Sequence, residues 1–157
     1  MKKLNVLSNS IGDEGYEMLT QVAEAKGIGS LCGLDESQTE VDLSKQNLKP
    51  IDAKLIAWEL TTGYVSASLT SIDLSWNDLR KDGAVAVANA LHVNASLTEL
   101  NLNGCSIGKD GAVAIAKSLE VNASLKSIDL SWNQLGKDGA IELAKALHVN
   151  ASITKLK

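Results

Sequence analysis

Apolar residues recur along this chain at two spacings, and the two alternate. Between Ser68 and Ala95 the aliphatic positions Leu69, Ile72, Leu74 and Leu79 come first; Ala84, Val87, Ala88 and Leu91 follow at i, i+3, i+4 and i+7. Ile72 and Leu74 share a period of two, which predicts a short strand with those side chains inward and Ser71 and Asp73 outward. The later spacing predicts a helix of about three turns with one apolar stripe. Asp82 stands where an N-cap is expected. Gly83, Ala84 and Ala88 are small enough to let that helix lie close to its neighbours.

The same 28 positions return at Ser96 to Ala123 and at Ser124 to Ala151. The first and third copies are identical at 21 of 28 positions and the first and second at 15, so the copies alternate in type while keeping one length. A fixed period of this size predicts a solenoid: stacked strand-turn-helix units that build a parallel sheet inside a ring of helices, an α/β architecture. In each copy the aliphatics follow LxxLxLxx(N/C)xL, with Asn77, Cys105 and Asn133 at the Asn/Cys position. A buried Asn at such a bend needs its amide bonded to loop backbone to offset desolvation.

The 28-residue length, the Asn/Cys alternation and the LxxxGAxxxAxxL helical half resemble the ribonuclease-inhibitor subfamily of leucine-rich repeat proteins. The resemblance is strong over Ser68 to Lys157 and looser over Lys3 to Gly63. It implies a right-handed βα superhelix with the sheet on the concave face and the helices on the convex face. For function it implies less, because that subfamily includes enzyme inhibitors, innate-immune sensor arms and activators of the small GTPase Ran.

Upstream of the regular copies the pattern loosens. Leu4 to Ile11 fits the strand and bend, with Asn9 at the Asn position, and Gly15, Leu19, Val22 and Ala23 fit the helical half. Lys26 to Glu40 reads as an enlarged loop before a strand at Val41-Asp42-Leu43. Gln46 replaces the expected Asn, Pro50 suits a helix start, and Trp58 reads as a packing residue. Thr61 to Ala67 connects to the regular copies, with Tyr64 partly exposed. The expected units are approximately 3–29, 30–67, 68–95, 96–123 and 124–151, with a partial 152–157, all in a single domain over 1–157. Strands at both ends leave open edges. Two assembly readings follow: a self-assembling fragment of a longer repeat protein, or a homodimer through the C-terminal strand edge at Lys155 to Lys157.

Charge and motifs narrow the function. Fifteen Lys and Arg against nineteen Asp and Glu argue against nonspecific nucleic-acid binding. No apolar run is long enough for a membrane span, and Met1-Lys2-Lys3 precedes no continuous apolar core, so the expected address is cytoplasmic. Cys32 and Cys105 fall in units well apart and are expected reduced. The Val-Asn-Ala-Ser sequons at Asn94, Asn122 and Asn150 share one joint after the helix and read as structural turns. His92 and His148 share one repeat position near a helix C-terminus. There is no zinc spacing, no phosphate-binding loop and no nucleophile beside a base. The expectation is no enzyme, no cofactor and no metal.

The outward strand positions carry the functional reading. One column runs Glu40, Ser71, Glu99, Ser127, Lys155; the next Asp42, Asp73, Asn101, Asp129, Lys157; the third Ser44, Ser75, Asn103, Ser131. Beside them come Lys45, Trp76, Gly104 and Trp132. Strands lie about 4.8 Å apart, which places the tryptophans roughly 10 Å from each other across Gly104 and predicts a slot between them. The tryptophans either contact a partner or cover the lip of the sheet. The first reading is a non-catalytic module binding a protein with a basic surface through Asp42, Asp73, Trp76, Glu99, Asn101, Asp129 and Trp132. The second, from the resemblance, is a GTPase-activating-like regulator of a small GTPase, which needs a polar group such as Arg80 at the nucleotide.

Overall fold

The alternation of spacings becomes an alternation of strand and helix in the computed structural model, which describes residues 2–62, 65 and 67–157. The order is β1 (Lys2–Lys3), α1 (Gly12–Lys26), β2 (Ile28–Ser30), β3 (Glu40–Asp42), α2 (Pro50–Thr61), β4 (Ser71–Asp73), α3 (Arg80–Val93), β5 (Glu99–Asn101), α4 (Gly108–Leu119), β6 (Ser127–Asp129), α5 (Gly136–Val149) and β7 (Lys155–Leu156). Strands β3 to β7 form one five-stranded parallel sheet in chain order. Val41, Ile72, Leu100, Ile128 and Leu156 stand in one register, as do Glu40, Ser71, Glu99, Ser127 and Lys155. The protein is an α/β leucine-rich repeat solenoid.

Three ladders hold the coils together. The apolar one is the core: Leu69, Ile72, Leu74 and Leu79, with their counterparts Leu97, Leu100, Leu102 and Ile107, are almost wholly buried. The second is polar. Asn77 Oδ1 accepts from the backbone N–H groups of Gln46 (3.1 Å) and Leu48 (2.9 Å), while its Nδ2 donates to the carbonyls of Leu43 and Leu74. Asn133 repeats this toward Cys105 and Ile107 and toward Leu102 and Leu130. Cys105 fills the middle place as a buried free thiol donating to the Leu74 carbonyl. Cys32 is also buried and free.

The third ladder lies where each helix ends. Asn94 Nδ2 donates to the Leu60 carbonyl, Asn122 to Leu91 and Asn94, and Asn150 to Leu119 and Asn122. Each Oδ1 accepts from the N–H groups two and three residues on, at Leu97, Leu125 and Ile153 among others. The three sequon asparagines are thus tied from one coil to the one before, a role beyond closing a helix.

On the convex side the helices meet through small residues. A Cβ on Gly83 would stand 3.1 Å from the Ala53 Cβ; on Gly111, 2.9 Å from that of Ala84; on Gly139, 2.9 Å from that of Ala112. Asp82 lies in the first turn of α3 rather than at its cap. Arg80, left-handed at φ 55°, starts the helix three residues before the position that an Asp82 cap suggested. Pro50 is the first residue of α2, as its fixed φ favours. Tyr64 lies outside the described residues.

The N-terminal part departs from the expected ladder. The segment expected as an enlarged loop contains β2, which pairs with β1 in a separate two-stranded sheet. Asn9 is exposed, and among the described residues its amide donates to the nearby Val6 and Leu7 carbonyls alone. Besides shared apolar packing and the Lys54–Asp13 ion pair, a pair of buried carboxylates two turns apart on α2 joins this part to the rest. Asp52 Oδ1 accepts from the Ser8 N–H (2.7 Å), and Glu59 Oε1 from Leu31 N–H (2.6 Å), Cys32 N–H (2.8 Å) and the Ser30 hydroxyl (2.8 Å).

Candidate functional site

The strand column is set by the buried residues behind it. Because Val41, Ile72, Leu100 and Ile128 point inward, their neighbours at Asp42, Asp73, Asn101 and Asp129 face the concave side, in register. Each also closes a turn at the strand end, through Oδ1 accepting from the N–H two residues on: Ser44, Ser75, Asn103 and Ser131. One carboxylate oxygen of each Asp is thereby structural, and at Asp73 and Asp129 the other meets a neighbouring side chain of the groove. Side chains link along the groove: Asn101 Nδ2 donates to Asp73 Oδ2 (2.8 Å), and the Asn103 amide donates to the Ser131 hydroxyl.

For Asp42 and Asp129 these contacts favour the charged carboxylate. The Ser44 hydroxyl and N–H hold Asp42 below the usual carboxylate range. Partial burial raises Asp129, but the Ser131 donors and the Lys157 ammonium outweigh it, and its net shift is downward. Lys157 Nζ is 3.8 Å from Asp129 Oδ2, so the last strand partly neutralises the groove at that end. Glu40 and Glu99 are exposed. A concavity lined by Asp73, Glu99, Asn101, Asp129, Lys155 and Lys157 runs across the sheet from β4 to its C-terminal strand.

The tryptophans sit on the lip, one residue before the buried Asn of their copies. Both have left-handed backbones, Trp76 at φ 58° and Trp132 at φ 59°, as do Lys45 and Gly104 at the equivalent places. Gly adopts this region freely, while a bulky residue does so at a cost of roughly 1–2 kcal/mol. The Trp76 ring lies over Gly104: a Cβ there would stand 2.9 Å from its Cε3. That contact replaces the expected open slot, because the glycine floor is already covered by the first ring. Trp76 is 52% exposed and Trp132 79%, so the second ring has little packing to hold it.

The remaining candidates separate from this face. The exposed Arg80 donates from Nε and Nη2 to its half-buried neighbour Asp78 past the bend. His92 and His148 lie exposed in the last turns of α3 and α5. Among the described residues no cluster of His, Cys, Asp or Glu could hold a metal ion, and no helix is long and apolar enough to cross a membrane.

Reading the sequence alone missed Glu59. It is wholly buried, and its Oε2 has no hydrogen-bond partner. Burial pushes its carboxyl above the usual range, against the donors at Cys32, Ser30 and Leu31 that pull it down. The Cys32 thiol is pushed well up, first by burial and then by the Glu59 carboxylate. The available signal was an acid between Trp58 and Leu60, in a helix whose neighbouring positions are nearly all apolar.

A family model described as Leucine Rich repeat matches residues 1–19, 65–88, 93–116 and 121–144, more than half of the chain. No curated protein matches it. Among solved structures it is similar to one titled leiomodin-1 actin-binding site 2, with a TM-score of 0.72 and 23% identity over 95% of this chain and 79% of that one. It is also similar to the tropomodulin C-terminal domain of Caenorhabditis elegans, with a TM-score of 0.65 and 14% identity over 78% of this chain and 75% of that one. At these identities the likeness is one of fold.

Proposed function

This chain belongs to the leucine-rich repeat family, and from that premise we propose that it is a non-catalytic module that docks a protein with a basic surface on its concave face. The contacts are Asp42, Asp73, Glu99, Asn101 and Asp129 along the groove and Trp76 and Trp132 on the lip. The observation that carries this reading is Trp132: a left-handed backbone bearing a largely exposed ring. The backbone turn is common to every coil, so it is the large ring left to solvent on it that marks a surface a partner covers. The acidic side chains of Asp42, Asp73 and Glu99, away from the lysines of the last strand, supply the charge that draws in a basic surface.

The 28-residue copies and the Asn/Cys alternation support placing the chain in the ribonuclease-inhibitor-like subfamily as a single domain; the cytoplasmic address is proposed separately, from the lack of a continuous apolar core after Met1-Lys2-Lys3. The GTPase-regulator reading gains nothing from Arg80, whose guanidinium is occupied by Asp78.

The test is a pull-down with parent and Trp76→Ala/Trp132→Ala protein at low and moderate salt. The double variant is expected to lose partners that the parent holds most tightly at low salt, since an aromatic anchor is worth on the order of 2 kcal/mol. An unchanged partner list removes this face from consideration. Actin, which the leiomodin title names, is one purified protein to put through the same comparison.

A further inference from the structure

The concave sheet has an unpaired edge in the interior of the chain. In the regular coils the backbone carbonyls at two positions are filled by the coil before. Asp73 and Ser75 accept from Leu43 and Lys45, Asn101 and Asn103 from Leu74 and Trp76, and Asp129 and Ser131 from Leu102 and Gly104. The corresponding carbonyls in the β3 coil are those of Asp42 and Ser44, and their donors would be the N–H groups of Val6 and Ser8. Both are diverted: Val6 donates to the Leu31 carbonyl and Ser8 to Asp52 Oδ1. The inserted β2 segment takes the first and the α2 carboxylate takes the second. Among the described residues β3 consequently pairs with β4 alone.

The groups left over form a short template. Residues of β3 whose N–H and C=O face β4 are the odd-numbered ones, since Thr39 accepts from Ser71 and Leu43 donates to Asp73. The even-numbered Glu40 and Asp42 therefore aim their N–H and C=O groups the other way, joined by the Ser44 carbonyl. Both residues are exposed, and Glu36 beside them is exposed too. The one other acid of this stretch, Asp35, is paired with Lys3 at 2.7 Å.

We propose that this edge accepts an extended basic segment of a partner protein as an added strand. Backbone bonds to Glu40, Asp42 and Ser44 supply the attachment, and the carboxylates of Glu36, Glu40 and Asp42 select Lys or Arg at alternate positions of the incoming strand. The site lies one strand away from the tryptophan-bearing copies and extends the proposed function without depending on the ring contacts.

Amide hydrogen exchange followed by NMR on the full chain tests it, with a capped hexapeptide alternating Val and Lys as probe and its Val/Glu counterpart as control. In the free protein the Glu40 and Asp42 amides are expected to exchange at least tenfold faster than those of Ser71 and Asp73. Saturating Val/Lys peptide should slow the first pair at least tenfold, and the Val/Glu peptide should not. Trp76→Ala/Trp132→Ala protein should show the same slowing, which separates this edge from the lip. Four results overturn the proposal: Glu40 and Asp42 already protected in the free protein, no slowing with Val/Lys peptide, slowing that vanishes in the tryptophan double variant, or slowing that rises with protein concentration alone. The last would assign the edge to a second copy of this chain.

Discussion

Trp132 and Asn77 show how much a single position can decide. Gly104 occupies the place of Trp132 one copy earlier, with the same left-handed backbone. Trp132→Gly should therefore raise stability by about 0.5 kcal/mol, the relief of strain less the added freedom of the unfolded chain, while weakening partner capture. Urea denaturation beside the pull-down checks both signs, and a loss of stability would mean that the ring packs more than its exposure implies. At Asn77 the balance is the reverse. Asn77→Leu strands the N–H groups of Gln46 and Leu48 and the carbonyl of Leu43 in the interior. With each orphaned group worth about 1–3 kcal/mol, the loss should be about 3 kcal/mol or more, read from the urea midpoint. Glu59 adds a pH dependence. Its folded pKa is raised by burial, so its contribution is fully present below the unfolded value and is lost as pH rises through the folded one. The stability of the parent relative to Glu59→Gln should thus decline as pH climbs from the ordinary carboxylate range toward neutrality. A flat difference between the two denaturation profiles would contradict the burial argument.

For the elements, what could be read in advance depended on whether the information was local. The register of β3 to β7 was legible because one period fixes which residues align, and Glu40, Ser71, Glu99 and Ser127 do align. The buried Asn77 and Asn133 were legible for the same reason. The pairing of β2 was not, because it depends on a carboxylate 29 residues away from Ser30 reaching that segment's backbone. Nor was the first ring's position over Gly104 readable, since nothing in the order of residues says which way a lip tryptophan leans. The start of α3 was misplaced by a left-handed Arg80, where the later copies have Gly108 and Gly136. Helix spacing gives a sharper test. Gly111→Ala adds helix propensity, yet its new Cβ would meet Ala84 Cβ and Ile107 Cβ, both at 2.9 Å. The crowding should prevail, lowering stability by about 1–2 kcal/mol in thermal or urea unfolding.

Over the whole molecule, the broken ladder divides the protein unevenly. In a linear array each coil is held by its neighbours, so a weak junction sets where the stack opens first. Residues 2–34 meet the rest through the Asp52 and Glu59 clasps, the Lys54–Asp13 ion pair and shared apolar packing, in place of a sheet junction. Their amides should exchange through a lower-energy opening than those of β4 to β6, and native-state hydrogen exchange across a denaturant series should resolve two cooperative units. A single unit spanning both would show that the carboxylates join the coils as firmly as strand pairing does.

The copies Ser68 to Ala95 and Ser124 to Ala151 are nearly the same peptide, and the strands within them occupy equivalent places in the sheet. Genetic recombination between two such stretches would insert or delete a whole pair of coils, 56 residues at a time. Every surviving asparagine, glycine and leucine would still find a matching neighbour. The length of the groove is therefore open to change by a single crossover, with no repair needed at the new joint.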